Sequence, residues 1–316
     1  MYRPVSAVRR NSWRNLLNGV LTMMNIACRK TTITAVTFTG VMAVGAILFQ
    51  MAGFAAQEKS IPDHGSFTEC QMCHAEKYKT WETTGHSKAI ARVVSMPNAG
   101  ADCFGCHTTE GFAAKLQGNK VDPANKESFR SISCVACHNP GSSANPRQLV
   151  RDSEKLCSEC HSQRSMLEGK GARGVEDTRS FHSAVTCVSC HMSEANHDMK
   201  LLRPDDPKVS EDRLDTCTRC HKDNNRKARA KQLTDWQAFY KEARDPIETD
   251  MTAISARLKE KPDLLNADLK AKLSTIRSNL SLLQRDGSRG AHNLDFSLEI
   301  LAQAAKDIKE IKAAIK

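Results

Sequence analysis

The sequence predicts a mainly α-helical protein in two dissimilar parts behind an N-terminal leader. Three observations predict it. Cys-x-x-Cys-His occurs six times between residues 70 and 221. After residue 225 cysteine disappears and apolar residues recur at helical spacing instead. Ahead of both lies an uncharged, largely apolar run, residues 31–56, preceded by basic residues. The resulting divisions are 1–56, 57–225 and 226–316.

The six motifs are Cys70, Cys73 and His74; Cys103, Cys106 and His107; Cys134, Cys137 and His138; Cys157, Cys160 and His161; Cys187, Cys190 and His191; and Cys217, Cys220 and His221. Each has the residues of a c-type haem attachment site, where two thiols bond to the porphyrin and the histidine binds iron. Zinc is the rival, since paired Cys-x-x-Cys sites build Cys₄ or Cys₂His₂ centres. Zinc gives no reason for a histidine directly after every second cysteine. Six covalently attached haem c groups are therefore expected. The motifs consume 12 of the 13 cysteines; the remaining Cys28 lies before the apolar run, so no pair is left for a structural disulfide.

Aromatic residues make up only 5% of the chain. Porphyrins, as large apolar plates, would supply much of the missing core of residues 57–225. Few regular elements are then needed, and short helices ending at each motif are expected. The motif starts lie 33, 31, 23, 30 and 30 residues apart, though the intervening sequences are unlike. Residues 139–146 and 169–174, rich in Gly, Pro and Ser or Gly alone, read as loops. The predicted fold class is thus a mainly α, multihaem cytochrome c domain with little regular structure between short helices, plus a C-terminal helical hairpin or bundle.

Three apolar runs define that second part. Leu233, Trp236, Tyr240, Ala243, Ile247, Met251, Ile254 and Leu258 form the first; Leu265, Leu269, Leu273, Ile276, Leu280 and Leu283 the second; Leu294, Leu298, Leu301, Ala305 and Ile308 the third. Asp245, Pro246 and Glu248 either restart a helix or sit at a kink in one long helix. Pro262 separates the first two runs, and Gly287 with Gly290 the last two. The stripes read as intramolecular packing in preference to a dimeric coiled coil.

The leader carries Arg3, Arg9, Arg10, Arg14, Arg29 and Lys30 and no acid. Its apolar run is long enough to span a bilayer, and the basic flank places the chain beyond residue 57 outside the cytoplasm. It is either a cleaved signal sequence, with small residues around Gly53 and Ala55, or an N-terminal membrane anchor. The expected location is the periplasmic side of a bacterial cytoplasmic membrane. Without the leader the formal charge falls from +10 to +4, with 40 basic and 36 acidic residues interspersed. That balance, with few aromatic residues to stack on bases, excludes nucleic acid as a partner.

Twelve axial positions meet eleven histidines. Beyond the six motif histidines, His64, His86, His182, His197 and His292 are the candidate distal ligands; all but His292 lie close to a motif. His292 precedes the last apolar run, where helix capping competes with ligation. Even if all five bind iron, one haem lacks a histidine. Met72, Met96, Met166, Met192 and Met199 are substitute candidates.

Cys70, Gln71, Met72, Cys73 and His74, followed by Tyr78, Trp81, Thr84, His86 and Ala89, resemble the opening of the tetrahaem electron-carrier cytochromes of nitrifying bacteria. Cys103, Phe104, Gly105, Cys106, His107, Thr108 and Thr109 continue the match. The third motif also resembles that family's, but Asn139 replaces a glycine, and Ala144 stands about where an extra histidine belongs. This departure coincides with the missing twelfth ligand and assigns the shortage to the haem that histidine would serve. His182 with the motif ending at Met192, and the helix opening Gly290, Ala291, His292 and Asn293, are similar to segments of pentahaem nitrite reductases and hydroxylamine-oxidising cytochromes. There the last histidine is a distal ligand. The enzymes' chemistry does not carry over: nitrite reductases use Cys-x-x-Cys-Lys at the catalytic haem, and hydroxylamine oxidation needs a haem-linked tyrosine. After the leader only Tyr78 and Tyr240 exist.

The expected function is that of an exported cytochrome passing single electrons between redox proteins, other cytochromes or a membrane quinol system. Two alternatives stand beside it. One is a reductase of a small nitrogen or sulfur oxyanion at the histidine-deficient haem; the other is a quinol dehydrogenase anchored by the leader. Lys222, Arg226, Lys227, Arg229 and Lys231 read as a solvated helix start in preference to a docking patch. Oligomeric state is left open.

Overall fold

The computed structural model describes residues 68–141, 144–222 and 225–316. The leader, Cys28 and His64 lie outside the described residues. Among the described residues no helix is long and apolar enough to cross a membrane.

The first part is built from short helices hung on the motifs. They are α1 (Thr68–Cys73), α2 (Ala75–Glu82), α3 (Ala89–Val94), α4 (Ala101–His107), α5 (Thr109–Leu116), α6 (Cys134–Cys137), α7 (Ser153–Leu156), α8 (Gln163–Glu168) and α9 (Cys187–His191). Four motifs coincide with an α-helix, as expected. The fourth instead forms a 3₁₀ turn, Cys157–Glu159. The sixth is a turn held by the buried Asp215, whose carboxylate accepts from the backbone N–H of Cys217 and Thr218 and from the Thr218 hydroxyl. No ladder of strands forms among the described residues; His138 and Leu149 make an isolated antiparallel bridge.

The side-chain core here is small, as the scarcity of aromatic residues requires. Ala89, Phe112, Ile132, Ala136 and Leu156 cluster, with Cys137 and Cys160 packed against them. Polar bonds do the rest of the fixing. Thr108 accepts from Gly111 N–H and caps α5. Thr109 donates to the Ser131 carbonyl at 2.7 Å, and the Trp81 indole donates to the Ile132 carbonyl at 3.1 Å.

The second part is a three-helix bundle: α10 (Arg226–Glu260), α11 (Ala267–Asp286) and α12 (Leu294–Ala314). Pro246 is accommodated inside a continuous 35-residue helix. Asp245 therefore caps nothing; with Lys241 it makes one ion pair across this stretch, and Arg244 with Glu248 makes another. The first two apolar runs are buried or half-buried along their length, as expected. The third is not: Ala305 is exposed, and the buried face is Phe296, Ile300, Leu301, Ala304, Ile308 and Ile311. The expected stripe lay partly beside the true face. Both sides of α12 are rich in apolar residues, so spacing alone misplaced the centre of the buried arc.

The bundle is tied to the first part by side chains that read backbone. Asn279, buried on α11, accepts from Arg173 N–H at 2.8 Å and returns its amide to the Arg173 carbonyl at 3.0 Å. Asn293 donates to the carbonyls of Met166 and Thr178. Met166 itself is fully buried in the bundle's core. Gly169 ends α8 at φ +66°, and a Cβ there would lie 1.9 Å from the Thr178 carbonyl oxygen, so only glycine fits.

Candidate haem sites

Four motif histidines each face a histidine from outside the motifs. His161 faces His86 with ring centroids 5.8 Å apart. His138 faces His197, His221 faces His182, and His191 faces His292, each at 6.2 Å. A metal–imidazole bond is about 2 Å and the nitrogen lies roughly 1 Å from its ring centre, so two rings on opposite sides of one ion sit about 6 Å apart. The residues therefore fit haem iron bound from both sides. These pairs bring together residues 75, 59, 39 and 101 positions apart, which no local spacing would reveal.

Outward ring nitrogens are held as ligand histidines require. Nδ1 of His107 donates to the Ala89 carbonyl at 3.1 Å, His138 to Arg147 at 2.9 Å, His191 to Met199 at 3.2 Å and His197 to Ala195 at 2.9 Å. Burial is the main force holding the rings of His86, His161, His182 and His197 below the usual imidazole range, each with help from a neighbouring ring. A ring kept neutral is the form that can bind metal.

His292 is not a cap. Asn293 occupies that position and accepts from Phe296 N–H. His292 instead donates to the Asp286 carboxylate at 2.6 Å. Among the described residues no second ring faces His74 or His107. The methionine candidates sort differently. Met166 is enclosed in the bundle and is no ligand candidate. Met72 and Met96 are exposed, and Met199 places its sulfur 2.8 Å from His86 Nδ1.

Thiols of different motifs also meet. Cys134 donates to Cys70, Cys160 to Cys106 and Cys157 to Cys187. Burial first, then the partner thiol, pushes Cys134 up to about 11 and Cys160 up to about 12. Cys187, accepting from Cys157, is lowered to about 6. Thioether formation would consume these thiols and end their titration. What persists is the adjacency of the motifs.

Two family models match the chain. "Cytochrome c554 and c-prime" covers residues 69–139, and "Doubled CXXCH motif" covers residues 127–166. Cytochrome c-554 of Nitrosomonas europaea is 26% identical over 170 residues, 48% of this chain and 66% of that protein. The chain is a multihaem c-type cytochrome. Among solved structures the cytochrome is similar to the outer cell wall cytochrome OcwA, with TM-score 0.59 and 25% identity over 73% of its own length. It is also similar to an undecahaem cytochrome from the S-layer of Carboxydothermus ferrireducens, with TM-score 0.52 and 19% identity over 72% of its length, a likeness of fold alone. The cytochrome spans 50% and 40% of those two chains.

Sequence reasoning missed Asp286 and the contact of Met199 with His86. Asp286 is six residues before His292, across a turn whose course the sequence does not state. Met199 was weighed as an iron ligand, whereas it lies against a histidine.

Proposed function

We propose that the cytochrome is an exported hexahaem electron carrier that passes single electrons between redox proteins on the periplasmic side of a bacterial membrane. The observation that carries this reading is the set of four opposed histidine pairs. Iron held by two histidines has no position open for substrate, and the haem supplies a one-electron couple when bound.

The adjacency of cysteines supports an order for the attachment sites. Motif one meets motif three through Cys70 and Cys134, and motif two meets motif four through Cys106 and Cys160. Cys137 of motif three lies near Cys157 and Cys160 of motif four. Cys157 meets Cys187 of motif five, and Cys190 lies near Cys220 of motif six. The sites so ordered run one, three, four, five, six, with motif two branching at motif four. Several low-potential, bis-histidine sites in contact suit conduction better than catalysis at one of them.

Haem count by mass spectrometry and spin state by electron paramagnetic resonance test this directly. The expected result is six haems per chain with at most one high-spin ferric signal. Fewer haems, or several high-spin centres, would contradict it.

The second reading rests on the shortage itself. One unassigned histidine, His64, remains for two unpaired motif histidines, which leaves one axial face open. A cavity of about 460 Å³ lined by Tyr78, Trp81, Glu82, Lys88, Ile90, Phe129 and Arg130 lies beside α2 and α3; Lys88 stands on its wall, and Arg130 is paired with Glu110. Turnover of nitrite or hydroxylamine together with a high-spin signal would favour a reductase. A fully low-spin spectrum would remove it.

A further inference from the structure

We propose that Asp286 is a positioning residue that makes the haem site between His191 and His292 the lowest-potential centre of the cytochrome. The inference rests on the reading of that histidine pair as axial ligands.

The carboxylate is built in, not incidental. The Asp286 side chain is 3% exposed at the end of α11. Its Oδ1 accepts from His292 Nδ1 at 2.6 Å. Its Oδ2 accepts from the Ser288 hydroxyl at 2.5 Å and from Ser288 N–H at 3.2 Å. The Ser288 oxygen accepts in turn from His292 N–H at 3.1 Å, and the Ser288 carbonyl accepts from Gln237 on α10. Gly290, at φ +89°, lets the turn close; a Cβ there would press on Leu294 at 2.9 Å. The carboxylate is thus fixed against one ring by groups from α10, α11 and the turn before α12.

Five other histidines place Nδ1 against weaker acceptors. His107, His138, His191 and His197 donate to neutral carbonyls, and His86 to the thioether of Met199. Among the described residues His292 is the histidine paired with a carboxylate. A carboxylate accepting from Nδ1 draws the proton away from the ring and makes the opposite nitrogen a stronger donor to metal. A stronger donor and a buried negative charge both favour the ferric over the ferrous state, and low dielectric enlarges the effect. A thioether is a weak acceptor, so His86 gains little of this. Motifs four and five touch through Cys157 and Cys187. A step down in potential is therefore placed between two adjoining sites.

The test compares haem-loaded full-length wild type with Asp286→Asn, Asp286→Glu and His292→Ala by spectroelectrochemical titration and electron paramagnetic resonance. Asp286→Asn should shift the lowest-potential component upward, leave the others in place and stay low-spin. Asp286→Glu should bring that component back toward its original position. His292→Ala should turn one haem high-spin. If Asp286→Asn shifts nothing, or shifts a component other than the lowest, while His292→Ala still yields the high-spin haem, the role of Asp286 is overturned and the ligand pair stands. If His292→Ala yields no high-spin haem, the ligand pair itself is wrong and the inference falls with it. Should Asp286→Asn fail to accumulate, Ser288→Ala keeps the carboxylate but loosens it; a smaller upward shift of the same component supports the role, and no shift overturns it.

Discussion

A ligand histidine has two jobs, and both ring nitrogens must be placed for it to do them. In four pairs one ring comes from a motif and one from elsewhere, and the spacing between rings is that of two bonds to one ion. Replacing the non-motif partner should expose one axial face and leave covalent attachment intact. His86→Ala, His182→Ala and His197→Ala are each expected to keep six haems and convert one from low to high spin, read by magnetic circular dichroism. A variant that changes no spin state would remove that residue from the ligand set. The sequence offered these histidines as candidates through their nearness to motifs, yet that nearness misleads about partners. His86 follows motif one and faces the histidine of motif four; His197 follows motif five and faces that of motif three. Pairing is a property of the folded chain, since each of these rings meets a motif histidine remote from it in sequence.

Elements differ in how much of them the sequence carried. The three C-terminal helices were legible because each must bury a continuous apolar face. Their ends were partly legible in Pro262 and in Gly287, at φ +67° after α11; the caps Asn266 and Asn293 emerged only in the folded chain. Asn293 also donates to two carbonyls of the first part, so Asn293→Ala should cost about 1–3 kcal/mol by denaturant unfolding. Ile300, fully buried on α12, lies on the face the spacing misjudged. Ile300→Ala should cost about 2–5 kcal/mol, whereas Ala305→Ser, on the exposed side, should stay within about 0.5 kcal/mol. Equal costs at the two positions would argue against the observed rotation of this helix. The motif helices were less legible, because a turn of four to seven residues carries no period to read. Asp215, which holds the turn of the sixth motif, and Thr108, which caps the helix after the second, act through local side-chain bonds that many turns share.

On the scale of the whole molecule, the two parts are stabilised by different means. The bundle encloses most of one core, including Ile276, Phe296, Ile300 and Ile311, each fully buried, with Met166 of the first part inserted into it. The motif region has a side-chain cluster of five buried residues and depends on what its cysteines and histidines hold. Chain produced without haem attachment should therefore retain helicity and slow hydrogen exchange over residues 226–316, while residues 68–222 exchange rapidly. Uniform protection across both parts would show that haem contributes little to the fold.

Residue identity, count and local period were enough to establish the cofactor class, the number of candidate attachment sites, the helical character of the last 91 residues and the shortage of one histidine. None of these depends on how distant parts of the chain meet. Folding adds which histidine faces which, which motifs adjoin, and that a buried carboxylate stands behind His292. Those are contacts between residues remote along the chain or separated by a turn of unstated course. They arise because closing the bundle and stacking the motif turns bring side chains together that no spacing relates.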